Sequence, residues 1–280
     1  MNRKEEIRSL LQLSPEDVRN RTGNHLIVCR DVEALYERMA DDILSEIRSS
    51  AAEQKPLRLI LPVGPTGQYP ILANRINAEQ LTLEHCWFFF MDEYCDENGL
   101  ALPSEHPLSF KGIARTQFFD VLDDSVNLIP KQVNFPDQDN IQHLSSQIQA
   151  LGGIDTCYGG IGIHGHVAFN EPEADVHMSS CRRVDLNKFT ITINAIRSQV
   201  GGNLEAFPRQ AYTLGMQEIL SANRIRLYCR SGIGFDWANT VLRLALLGEP
   251  GDDYPVTYVR NRDYVIVTEE ATLQSPVNII

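Results

Sequence analysis

"LRLILPVGPTG", residues 57–67, decides the fold. Residues 57–62 are an apolar run broken only by Arg58, the length and texture of a strand buried in a sheet. Gly64, Pro65 and Gly67 then turn the chain. A helix is expected to follow, to about Asn77. Strand, glycine turn and helix in that order are the repeating unit of a parallel sheet.

Working outward, the unit recurs. "HLIVC" (25–29) reads as a strand. Residues 31–50 read as a helix that opens on the N-cap Asp31 and carries Val32, Leu35, Met39, Ile43 and Ile47 at helical spacing. "CWFFFMDEY" (86–94) is an apolar strand ending abruptly in acids. A helix over 110–122, a strand over 126–129, a helix over 139–151 and a strand over 154–160 continue the series. "FTITIN" (189–194) alternates like a strand. Strands at 225–229 and 263–268 enclose a helix over 234–248. The alternation gives one α/β domain over 25–280, with a mainly parallel sheet covered on both faces, behind a helical extension over 1–24.

Composition bounds the function. The chain has 280 residues, 43% hydrophobic and 22% charged, and a net charge of −12. That charge argues against nucleic acid, whose backbone calls for a basic face. Cys29, Cys86, Cys95, Cys157, Cys181 and Cys229 include no Cys-x-x-Cys pair, so neither zinc site nor redox motif is suggested. The charged N-terminus lacks a signal-peptide core, and no apolar run approaches the ~20 residues of a membrane span. A cytoplasmic protein with reduced thiols is expected.

Ligands of such folds bind beyond the carboxyl ends of the strands. Four segments leave strands there: residues 62–67, "MDEY" (91–94), "GGIGIHGHVAFNEP" (159–172) and "RSGIGF" (230–235). The first is a strand-to-helix turn whose N–H groups can cradle an anion, or merely turn the chain. Asp92 and Glu93 follow an apolar strand, so at least one is partly desolvated and usable as a base; the alternative is a cap or an ion pair. His166 and Glu171 can form an acid–base pair in which the carboxylate fixes the imidazole tautomer. His164 and His166, with Glu171 or Asp92, could also chelate a divalent ion, but the pattern supplies no further ligand cluster and no metal is expected. Trp237 reads as packing, and His25, His143 and His177 as surface or loop residues.

Together these segments resemble the glucosamine-6-phosphate deaminase/isomerase family, in the family's order, over roughly residues 26–270. "LPVGPTGQYP" looks like its phosphate turn, "FFFMDEY" its base-bearing strand end, "GGIGIHGHVAFNEP" its ring-opening loop and "FPRQAYTLGMQEIL" its Pro-basic, Thr-hydrophobic-Gly stretch. The resemblance implies a single three-layer α/β/α Rossmann-like domain that needs no metal or organic cofactor. It implies that Asp92 moves a proton between carbons, that His166 with Glu171 opens a sugar ring, and that Gly64, Pro65, Thr66, Gly67 and Arg197 hold a phosphate. The partner it implies is a sugar phosphate, with no nucleic acid or membrane, in a chain open to homo-oligomerisation. Related 6-phosphogluconolactonases share the Gly-His core but usually lack Phe-Asn-Glu-Pro.

Three departures stand out. His164 replaces the family's Asp; the turn loses a hydroxyl and, at Pro65, an N–H donor; and the late-loop Lys is absent, with Gly234 near its place. Conversion of an amino-sugar phosphate to a ketose phosphate with ammonia release is the expected reaction. A lactonase-like hydrolase and a non-catalytic sugar-phosphate binder are the alternatives.

Overall fold

The computed structural model describes residues 2–230 and 237–280. In chain order its elements are α1 (Arg3–Leu11), α2 (Pro15–Thr22), β1 (Leu26–Cys29), α3 (Val32–Glu53), β2 (Leu57–Leu61), α4 (Gln68–Glu79), β3 (Cys86–Phe90), β4 (Asp92–Tyr94), α5 (Phe110–Gln117) and β5 (Val133–Asn134). They continue with α6 (Leu144–Ala150), β6 (Thr156–Gly160), β7 (Arg182–Asp185), α7 (Lys188–Arg197), β8 (Gln210–Thr213), α8 (Met216–Ser221), β9 (Arg224–Tyr228), α9 (Trp237–Leu247), β10 (Tyr264–Glu269) and α10 (Glu270–Leu273).

Seven strands form one sheet in the order β1-β10-β9-β6-β2-β3-β5, every pair parallel. Alternate side chains leave its two faces for separate cores. Leu59 and Leu61 of β2, Phe88 and Phe90 of β3 and Tyr158 of β6 join the cluster that includes Leu35, Met39 and Ile43 of α3. Ile60, Phe89 and Cys157 point the other way, into the cluster of Val241, Leu242 and Leu244 of α9. Leu10, Leu13 and Val18, from the first two helices and the link between them, are buried in that second cluster. The result is the helix–sheet–helix sandwich expected from the alternation.

The chain runs from β2 outward to β3, and later returns to β6 on the other side of β2. The β2–β6 boundary is therefore the topological switch point, where ligand crevices of open α/β sheets lie.

Three readings differ from the sequence pattern. Residues 189–194 are helix, not strand: Asn187 caps α7 by accepting from the Thr190 N–H, and Ile191 and Ala195, one turn apart, bury together while Phe189 is left exposed. A six-residue alternation was too short to outvote a capped helix. Residues 126–129 are not a strand; the edge strand forms at Val133–Asn134, against β3. The run 86–94 is two strands, because the chain leaves the parallel sheet at Met91 and joins a small antiparallel sheet, β4-β8-β7. The 230–235 segment and the Gly234 position lie outside the described residues beyond Arg230.

Candidate active site

A cavity of ≈ 590 Å3 opens at the switch point, lined by Gly64, Pro65, Thr66, Asp92, His166 and Arg197 among others. His164 and Glu171 do not line it; they stand behind His166.

Asp92 sits at the seam between the two sheets, in register with Thr213 of β8. It is buried, faces the cavity, and among the described residues its carboxyl group accepts no hydrogen bond. Dehydration, and then the neighbouring Glu93, push its pKa up to about 8. Glu93 points elsewhere. It accepts from the N–H groups of Phe110 (3.0 Å) and Lys111 (2.8 Å) and from the Ser109 hydroxyl (2.9 Å), at the N-terminus of α5. Burial raises its pKa and these bonds oppose the rise. Of the adjacent acids, one is a base candidate and the other a helix anchor.

The 160–171 loop needs its glycines for close approach. A Cβ on Gly160 would lie 2.3 Å from the Gly64 carbonyl oxygen, which locks this loop against the 62–67 turn. A Cβ on Gly162 would lie 1.9 Å from His166 Nε2, so Gly162 leaves the imidazole its room. Asn170 clamps the far end, donating to the Val167 and Leu214 carbonyls and accepting from Ser179 and Arg182.

The expected His166–Glu171 pairing is not formed directly. His164 is interposed: its Nδ1 lies 3.0 Å from His166 Nδ1, and its Nε2 4.0 Å from Glu171 Oε1. Glu171 accepts instead from the Asn187 N–H at 2.8 Å. Burial lowers the pKa of both histidines, His166 the more strongly, with His164 and Arg197 contributing in turn. Both rings are therefore neutral near pH 7. One donor atom each from His164, His166 and Glu171 falls within 4.8 Å of the others, a spacing that a cation also tolerates.

The opposite wall suits an anion. The helix α4 begins at this wall, and among the described residues the N–H groups of Thr66, Gly67 and Gln68 have no acceptor in the protein; the first taken is that of Tyr69, bound to the Thr66 carbonyl. Arg197 stacks over the Trp237 ring at 4.6 Å. Burial, followed by the charge of Arg230, lowers its pKa, a cost that a bound anion relieves. Trp237, expected as packing, is thus a cavity wall and an arginine platform. Arg182 is committed to Glu173 and Asn170, and Arg209 pairs with Glu205, both outside the cavity lining.

Asn194, Ser198, Gln199 and Tyr228 also line the cavity. Asn194 lies on α7, which the alternation of 189–194 disguised; Ser198 and Gln199 follow that helix, and Tyr228 ends β9.

No family model matches the chain. It is 32% identical over 210 residues to a glucosamine-6-phosphate deaminase of Caenorhabditis elegans, spanning 72% of this chain and 74% of that protein. It is 30% identical over 256 residues to the glucosamine-6-phosphate deaminase of Porphyromonas gingivalis strain W83, spanning 88% and 91%. Among solved structures, a monomeric glucosamine-6-phosphate deaminase superposes with a TM-score of 0.76 at 24% identity, covering 88% of this chain and 98% of that one. The 6-phosphogluconolactonase of Thermotoga maritima superposes with a TM-score of 0.64 at 14% identity, over 88% and 99%.

Proposed function

This chain belongs to the glucosamine-6-phosphate deaminase family, and from that premise we propose that it is an aldose–ketose isomerase acting on an amino-sugar phosphate, with release of ammonia. The observation that carries the reading is the shared cavity. A dehydrated Asp92, a neutral His166, the Gly64–Thr66 turn at the start of α4 and Arg197 all line one cavity, while Gly67 stands outside it against the Tyr36 ring.

In the proposed reaction the phosphate docks on the α4 N-terminus and Arg197, with Gly64, Pro65, Thr66 and Gly67 shaping the turn. Asp92 takes the proton from the amine-bearing carbon and returns it to the neighbouring carbonyl carbon. As the amine gives up one proton and the former carbonyl oxygen takes one, the product is an imine beside a hydroxyl group, which water hydrolyses to a ketose phosphate and ammonia. A pKa near 8 suits this role, since a base works best when its pKa lies close to the working pH. His166 contacts the oxygen that gains negative charge as the proton leaves.

The test is a panel of hexosamine and hexose phosphates, assayed for both ammonia and ketose. Turnover of at least one amino-sugar phosphate is expected. Failure on every member, with purified folded protein, would sink the reading, and acid release from a phosphosugar lactone would replace it with hydrolysis.

A further inference from the structure

Asn187 forms the N-cap of α7, and that duty fixes its amide. Its Oδ1 accepts from the Thr190 N–H at 3.0 Å, so its NH2 group is the end that meets His164 Nε2 at 2.7 Å. His164 Nε2 must then accept. Two donors facing across that distance would repel. The ring is neutral, so its proton resides on Nδ1, which lies 3.0 Å from His166 Nδ1. That nitrogen must accept in turn. The remaining proton of His166 is left on Nε2, the nitrogen packed over Gly162 beside the cavity.

From this geometry we propose that Asn187 is a positioning residue which, through His164, holds His166 as the Nε2–H tautomer, so that the cavity is offered a hydrogen-bond donor and not a base. A carboxylate in place of His164 would do the reverse: it would accept from His166 Nδ1–H and leave the Nε2 lone pair free. The consequence, which rests on the function proposed above, concerns the form of the substrate. Opening a sugar ring requires a base to take the hydroxyl proton of the anomeric carbon while the bond from that carbon to the ring oxygen breaks and that oxygen gains a proton. A neutral Nε2–H cannot take the first proton. It can stabilise the oxygen of an open-chain carbonyl as charge develops there, as a neutral imidazole does in other isomerases. The site is therefore built for the open-chain aldose, and ring opening is left to solution.

The arrangement also bears on the cation spacing of His164, His166 and Glu171. A metal on His164 Nδ1 would move that ring's proton to Nε2, directly against the Asn187 NH2 group.

The experiment is two-bond 1H–15N correlation of histidine-labelled protein, which distinguishes the tautomers without any substrate. Wild type is expected to show His164 protonated at Nδ1 and His166 at Nε2. His164→Asp should switch His166 to Nδ1–H. Asn187→Ser keeps an N-cap on a hydroxyl one atom short of the Asn187 NH2 position, and should leave His166 averaging between tautomers. A wild-type His166 protonated at Nδ1, or a spectrum changed by chelator, overturns the proposal. A second arm reads turnover of a hexosamine 6-phosphate while a general-base buffer accelerates mutarotation. Wild-type turnover should rise several-fold and that of His164→Asp should not. A wild-type rate indifferent to mutarotation would return ring opening to His166 and overturn the open-chain assignment. If the tautomers are as stated and no amino-sugar phosphate turns over, the proposed function fails and the tautomer relay stands.

Discussion

The two sides of the cavity tune their groups by opposite means. Asp92 is held dry, with no hydrogen bond to its carboxyl group among the described residues, and its pKa rises to about 8. His166 is also dry, yet it is wired: His164, Asn187 and the α7 N-terminus form a chain of contacts behind it. Dehydration sets how strongly a group holds a proton. A hydrogen-bond chain sets which atom holds it. Glu93, one residue from Asp92, shows what happens when a buried acid is wired as well: it becomes part of the scaffold.

The sharpest break in that comparison is Asp92→Asn. The amide keeps the shape and cannot take a proton, so turnover should fall by about 10²–10⁴-fold while ligand affinity stays within about tenfold. Steady-state kinetics beside a binding isotherm check this; near-normal turnover would make Asp92 a structural residue. In wild type the rate should climb with pH and level off above about 8, as Asp92 ionises.

The same carboxyl group should cost stability. Between its ordinary value of 3.8 and about 8, the folded state keeps a proton that the unfolded chain has lost. Stability contributed by that proton is complete below the ordinary value and is lost as pH rises through about 8. The loss is of order a few kcal/mol. Asp92→Asn should flatten the fall of melting temperature between these limits, and a fall as steep as in wild type would place the pH dependence elsewhere.

Glu93→Gln tests the wired acid. The amide nitrogen cannot accept, so one or more of the bonds from Ser109, Phe110 and Lys111 is lost, at about 1–3 kcal/mol. Denaturant unfolding should show that loss, and the rise of turnover with pH should move to lower pH, because the Glu93 charge no longer raises the pKa of Asp92.

Arg197→Met addresses the anion wall. Removing one charge-assisted contact should weaken binding of the sugar phosphate by roughly tenfold or more, and weaken its salt dependence too. The same affinity in the variant would shift the anion to another set of donors.

Much of this was legible in order and little of it in detail. The buried strands, the glycine turn at 62–67 and the acids at 92–93 are visible because burial and chain reversal leave local signatures. The strand reading of 189–194 failed because alternation over so short a run does not outweigh a cap and a tertiary face. Asn187 went unmarked for the same reason: an N-cap is recognisable only once its helix is.

The residue types of the chemistry were thus determined by the sequence alone: a carboxylate after an apolar strand, a His-x-His on a glycine loop, a phosphate-type turn and a His where a carboxylate was expected. Tertiary structure decided the surroundings of each. It left Asp92 dry and gave Glu93 to a helix end, because adjacent residues of β4 face opposite sides and packing alone decides what lies on each. It set His164 between His166 and Glu171, because side-chain partners are chosen by the packing of α7 on the loop, across contacts that no local pattern encodes.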